Sequence, residues 1–136
     1  MVYELENGNG KVKEYNYNGK LKFEGEYLNG IKWNGKVKEY NYEYGNLEFE
    51  GEYLKGKRNG KGKEYNYYNG KLRFEGEYLN GKRNGKCKEY YKNGELIFEG
   101  EYLNGIKWNG KCKVYDNFNN KLIFKGEYLN GEKKNA

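Results

Sequence analysis

The stretch FEGEYLNGKRNGKCKEYYKNGELIFEGEYLNG, residues 74–105, begins and ends on the same eight letters. The octet also stands intact at residues 23–30, and with one change as FEGEYLKG at 49–56 and FKGEYLNG at 124–131. Between the copies runs K-x-K-E-Y or its variant K-x-K-V-Y, whose tyrosine falls at positions 15, 40, 65, 90 and 115, a constant spacing of 25. The phenylalanines that open the octets, Phe23, Phe49, Phe74, Phe98 and Phe124, are spaced less evenly. Two loops per repeat, each varying by one residue, account for the difference, and the segments between those loops read as strands. One strand is Lys61–Tyr65 and its equivalents; the other is Leu72–Leu79 and its equivalents. Alternation in the second sets Phe, Gly and Tyr on one face and the two glutamates on the other.

The turns support hairpins. Asn18-Gly19 and Asn93-Gly94 form the dipeptide favoured in two-residue type I′ turns, where both residues take positive φ. Glu43-Tyr44-Gly45, Tyr68-Asn69-Gly70 and Phe118-Asn119-Asn120 suit three-residue turns ending in a left-handed residue. Counting back from Asn18-Gly19 pairs Tyr17 with Lys20, Tyr15 with Lys22, Lys13 with Glu24 and Lys11 with Glu26, and sets Val12 opposite Gly25. A two-residue turn at Lys55-Gly56 sets Glu50 against Lys61 and Phe49 against Gly62. Both registers separate charge from ring, and a one-residue slip in either exchanges the faces. The expected fold is all-β: an elongated, twisted, single-layer antiparallel meander with about two strands per repeat. Each cross-strand charge pair contributes only about 0.2–1 kcal/mol, so the ladder sets register while ring burial stabilises.

Composition agrees with strands. The chain has 17 Tyr, 6 Phe and 21 Gly in 136 residues, with alanine only at Ala136, so aromatic strand formers and turn residues displace helix formers. It contains no His, Ser, Thr, Gln or Pro, and a single aspartate, Asp116, which excludes hydroxyl nucleophiles, histidine bases and His-bearing zinc sites. No phosphate-binding glycine loop is spelled out. The reading is therefore non-enzymatic, with neither cofactor nor metal. A net charge of +6, with basic and acidic residues interleaved, describes a solvated, ion-paired surface more than a phosphate-binding stripe. No apolar run approaches a membrane span and no signal-type segment follows Met1, which points to a cytoplasmic protein. Cys87 and Cys112 share the repeat position held elsewhere by Val12, Val37 and Gly62. They are expected to be small buried residues two strands apart, beyond disulfide reach.

Residues 74–105 resemble the MORN repeat, in particular a bacterial-type variant with the pattern G-K-x-x-x-Y-Y-x-N-G-x-L-x-x-E-G-x-Y-x-x-G. The resemblance spans nearly the whole chain as five tandem copies after an N-terminal remnant, VYELENG, so residues 1–136 read as one array. It is also similar to the N-terminal module of a SET-domain lysine methyltransferase, whose catalytic portion has no counterpart here. The resemblance implies a scaffold or docking module with a shallow groove, and places the family's repeated glycines on Gly25, Gly51, Gly76, Gly100 and Gly126. Its repeated aromatics fall on Tyr27, Tyr53, Tyr78, Tyr102 and Tyr128.

Several features are candidates for contact. Trp33 and Trp108 lie in GIKWNG, which reads as a loop one residue longer than GKRNG, and either anchor a partner or fold over the sheet. Phe49, Phe74 and Phe98 with Tyr53, Tyr78 and Tyr102 form a ring face. It is expected to be partly exposed to a protein partner unless twist and long neighbouring side chains cover it. Open edges without proline offer pairing with a second copy, as a homodimer or longer array. Alternatively Lys57, Arg58, Lys82 and Arg83, with Lys32 and Lys107, form a basic loop edge for anionic lipid. Nucleic acid is not expected, because Glu24, Glu26 and their repeats repel phosphate.

Overall fold

The computed structural model describes residues 2–6, 8–41 and 43–135, so Asn7 of the N-terminal remnant lies outside the described residues. These residues form twelve strands. They are β1 (Val2–Glu6), β2 (Asn9–Tyr15), β3 (Leu21–Leu28), β4 (Ile31–Tyr40), β5 (Leu47–Leu54) and β6 (Lys57–Tyr65), followed by β7 (Leu72–Leu79), β8 (Lys82–Tyr90), β9 (Leu96–Leu103), β10 (Ile106–Tyr115), β11 (Leu122–Leu129) and β12 (Glu132–Asn135). Every strand pairs with its neighbours in sequence, giving one open antiparallel meander without helix among the described residues.

The two-residue type I′ turns stand at the opposite end of the sheet from the one the Asn18-Gly19 pattern suggests. They follow the octets: Asn29-Gly30 (φ 51° and 79°), Lys55-Gly56 (52° and 81°), Asn80-Gly81 (52° and 84°), Asn104-Gly105 (49° and 89°) and Asn130-Gly131 (51° and 84°). At Asn18-Gly19 only the glycine is left-handed, with φ 80°. The Gly19 N–H donates to the Asn16 carbonyl at 2.9 Å, and Asn16 Oδ1 accepts from the N–H groups of Asn18 and Lys20 at 3.0 Å. That side-chain bridge favours a right-handed residue before the glycine, which makes a three-residue turn with a bulge. The bulge moves Tyr15 off Lys22 and onto Leu21. In the longer turns the left-handed residues are Gly45, Gly70 and Asn120, as expected, but each closes a four-residue loop in which that residue's N–H reaches Asn41, Asn66 or Asp116.

Lys11–Glu26, Val12–Gly25 and Lys13–Glu24 face one another as the sequence indicates. The hairpin after β5 differs from expectation by two residues: Glu50 faces Lys63 and Phe49 faces Glu64, while Glu52 faces Asn59. The slip is taken up at Gly60, whose φ of 78° lets β6 bulge. β7 and β8 repeat the slip, and there the carboxylate of Glu77 accepts the Lys86 N–H at 2.9 Å. Because the slip is even, charge and ring stay on their own faces.

The extra residue of GIKWNG is not a longer loop. Trp33 sits inside β4 between Lys32, which faces Tyr27, and Asn34, which faces Glu26; it is a one-residue bulge, and Trp108 repeats it in β10. Both tryptophans are half-buried. A β-carbon on Gly56 would lie 3.6 Å from Trp33 Cε3, and one on Gly131 3.1 Å from Trp108 Cζ3, so each indole rests on the following turn.

Phe23, Phe49, Phe74 and Phe98 are fully buried at 0–1% exposure, and Tyr78, Tyr102, Val12, Val37, Cys87 and Cys112 join them in one core. A single layer achieves this by stacking along its own length. Phe74 meets Tyr78 edge-on at 5.7 Å and Tyr102 at 5.9 Å, and Phe98 meets Tyr102 and Tyr128 likewise. A cationic side chain lies over each of the five octet phenylalanines. Arg58 stands 3.8 Å over Phe49, Arg83 3.9 Å over Phe74, and Lys32, Lys107 and Lys133 lie over Phe23, Phe98 and Phe124.

Candidate functional site

The ring face is closed by a partly buried polar network. The Tyr78 hydroxyl donates to Glu64, and Arg83 binds the same carboxylate at 3.0 Å while Arg73 reaches it at 3.2 Å. Tyr102 donates to Glu89, and Arg83 bridges the two repeats by donating to the Tyr102 hydroxyl at 3.1 Å. Tyr53 and Arg58 bind Glu39 in the same way. Burial alone would raise Glu64, but the Tyr78 hydroxyl and the two guanidinium groups outweigh it and hold its carboxyl below the ordinary value. Burial and Glu39 push Tyr53 up to about 12. In the first repeat Glu14 is buried with Lys22 Nζ 3.9 Å from Oε2, and its Oε1 has no hydrogen-bond partner. In the last repeat the equivalent position is Val114.

This geometry corrects the expectation of an exposed ring groove. Phe49, Phe74, Phe98, Tyr78 and Tyr102 are buried, so no partner touches them while the sheet keeps its own stacking; Tyr53 is half-buried. Arg58 and Arg83 are likewise turned onto rings and carboxylates, which removes them from a basic loop edge. Lys32 and Lys107 lie over Phe23 and Phe98, leaving Lys57 and Lys82 as the exposed members of that set.

The concavity lies on the opposite face. A groove of about 1140 Å³ runs from β4 to β9, with glycine-rich backbone as its floor. Its walls are striped. Lys36 and Lys38 stand on β4, Glu50 and Glu52 on β5, Lys61 and Lys63 on β6. The pattern repeats as Glu75 and Glu77, Lys86 and Lys88, Glu99 and Glu101 on β7 to β9. Although these residues are cross-strand neighbours, among the described residues only Lys88–Glu99 in the groove closes to an ion pair, at 3.8 Å. At one rim the Tyr65 and Tyr90 hydroxyls donate to Glu50 and Glu75 at 2.6 and 2.8 Å. Burial and Glu75 push Tyr90 up to about 12. At the other rim strand alternation places Leu54, Leu79 and Leu103, which are 41–49% exposed. The stripes were legible as a Lys–Glu ladder; that this face rather than the rings forms the groove was not.

A second exposed feature sits in the last repeat. Phe118 is 99% exposed at its turn, with Ile123 and Leu122 at 64% and 48%. Here Lys125 stands where the other octets carry glutamate, directly opposite Lys113.

The fold and its striped face define a class, the open repeat sheet that presents an extended surface to other molecules. The family model for the MORN repeat matches residues 49–71 and 74–95, which makes this a protein that carries MORN repeats. Repeats of this family serve as scaffolds for interaction with proteins or membranes. Among curated proteins, none matches the chain.

Proposed function

We propose that this chain is a non-enzymatic scaffold that docks a protein segment along the groove over β4 to β9. The observation that carries this reading is the groove's charge. Its lysines and glutamates are aligned by register yet, Lys88–Glu99 apart, not ion-paired with each other, so a ligand meets most of these charges without first breaking an ion pair, while Glu50, Glu75 and Glu77 already accept a hydrogen bond each. Cytoplasmic placement and pairing with a second copy through the open edges belong to the same reading.

Affinity capture from cell extract, comparing wild type with a charge-exchanged variant (Lys63→Glu with Glu75→Lys), tests it. Partner protein held by the wild type is lost from the variant. Retention by this variant, with loss from Trp33→Ala plus Trp108→Ala, places docking on the tryptophans instead. A membrane-surface reading is favoured by one feature, the exposed Phe118 and Ile123 beside Lys125. Sedimentation with anionic vesicles that is abolished by Phe118→Asn supports that alternative.

A further inference from the structure

The stripes in the groove have a spacing, and spacing selects among backbone conformations. Neighbouring strands lie about 4.8 Å apart, so charge alternates along the groove every 4.8 Å or so and repeats at about 9.6 Å. An α-helix laid across the strands presents one residue per turn, about 5.4 Å, to the surface beneath it. Over the five steps from β6 to β11, the span of a helix whose end reaches Lys125, the mismatch accumulates to about 3 Å, which the long Lys and Glu side chains absorb. An extended strand repeats a face at about 6.7 Å and falls out of phase with the stripes within roughly three strands. A polyproline helix repeats at about 9.3 Å and meets stripes of one sign only. The exposed Leu54, Leu79 and Leu103 along one rim give an amphipathic helix an apolar shoulder.

The last repeat breaks the pattern and supplies direction. Lys125 opposes Lys113 across β10 and β11, where each preceding repeat sets Lys against Glu. Like charges directly opposite are destabilising, and among the described residues neither lysine forms an ion pair, so an acidic group on a ligand would relieve the repulsion.

We infer that the groove's occupant is an α-helix carrying acidic and basic residues in alternation one turn apart, with an acidic end that runs past the groove onto β10 and β11 and seats over Lys113 and Lys125. This rests on the groove being the docking surface, and it adds the partner's conformation, charge order and orientation.

The test uses three labelled synthetic peptides of equal length, with helicity checked by circular dichroism and binding read by fluorescence anisotropy. The first alternates Glu and Lys along one face, has Leu beside them and ends in three glutamates. The second has the same composition scrambled, and the third lacks the acidic end. The first is expected to bind the full chain at least about tenfold tighter than the second. Lys125→Glu is expected to weaken the first about fivefold and leave the third unchanged, since one opposite-charge contact is replaced by a like-charge one. The same substitution raises the chain's own melting temperature, which separates lost binding from lost folding. Equal binding of the scrambled peptide, indifference to Lys125→Glu, or displacement of the first peptide by anionic vesicles overturns the inference. Loss of partner capture by the groove variant alongside failure of these peptides leaves the docking site standing and rejects the helix.

Discussion

The guanidinium of Arg83 lies 3.9 Å over the ring of Phe74. From there it holds Glu64 at 3.0 Å and donates to the Tyr102 hydroxyl at 3.1 Å, so one side chain covers the core and joins two repeats. Arg58 plays the same part over Phe49 with Glu39, but Glu39 is 32% exposed against 12% for Glu64. Removing a cation from a buried carboxylate costs more than removing it from a hydrated one. Arg83→Ala is therefore expected to lower unfolding free energy by about 2–3 kcal/mol and Arg58→Ala by about 1 kcal/mol. Urea titrations of both variants measure the order.

Glu14 and Glu64 share a repeat position and differ in partners. Glu64 accepts from Tyr78, Arg73 and Arg83, whereas Glu14 is 4% exposed with one oxygen unpartnered. Substitution to valine, the residue already present at 114, is expected to have opposite signs. Glu14→Val gains about 1 kcal/mol by removing a poorly paired buried carboxylate, and Glu64→Val loses about 2–3 kcal/mol by leaving the buried Tyr78 hydroxyl without its acceptor and Arg83 without its nearest carboxylate. Equal effects in chemical denaturation would show that the network does not discriminate between them.

Gly62 occupies the position of Val12, Val37, Cys87 and Cys112, yet a β-carbon there would lie 2.9 Å from the Phe49 ring and 3.0 Å from the Tyr78 ring. Gly62→Val is expected to cost about 1–3 kcal/mol by overpacking, while Cys87→Val costs less than about 1.5 kcal/mol because a side chain is already accommodated. Thermal melts followed by near-ultraviolet dichroism distinguish the two.

The tyrosines predict the alkaline limit of stability. Burial and neighbouring glutamates raise Tyr53 and Tyr90 to about 12 and raise Tyr65, Tyr78 and Tyr102 as well. An unfolded tyrosine ionises near 10, so their contribution is fully present below about pH 10 and is lost as pH rises toward the folded values. Glu64 has the opposite sign: its lowered pKa contributes above the unfolded carboxylate value of about 4.3 and is lost as pH falls through the folded one. The urea midpoint is expected to be flat through neutrality, to drop above about pH 10 and to drop again in acid. Tyr78→Phe flattens the alkaline limb; an unchanged limb in that variant contradicts the assignment.

Much of the fold was written in the repeat. Phe at 23, 49, 74 and 98 with Gly two residues on specified which face is buried, and Lys13 opposite Glu24 was recoverable by counting from a turn. The counting failed where non-local geometry intervened. Asn18-Gly19 has the composition of a type I′ turn, but the Asn16 side chain bridges its backbone and selects another. The Lys55-Gly56 hairpin has a type I′ turn, yet a bulge at Gly60 shifts its register by two. GIKWNG was legible as an insertion and not as a bulge, because a strand absorbs one residue as readily as a loop does. The groove was misplaced for a related reason: aromatic content suggests an exposed ring surface, and only packing shows that Arg58 and Arg83 cover it.

The 25-residue period determined by itself that the chain is an antiparallel meander with one ringed and one charged face, since alternation within a strand is a local property. Which face is closed and which stays open was decided by tertiary structure. Closure depends on rings from successive repeats meeting edge-on and on cations reaching across strands to Glu39 and Glu64, contacts between residues up to 30 apart that no single repeat encodes.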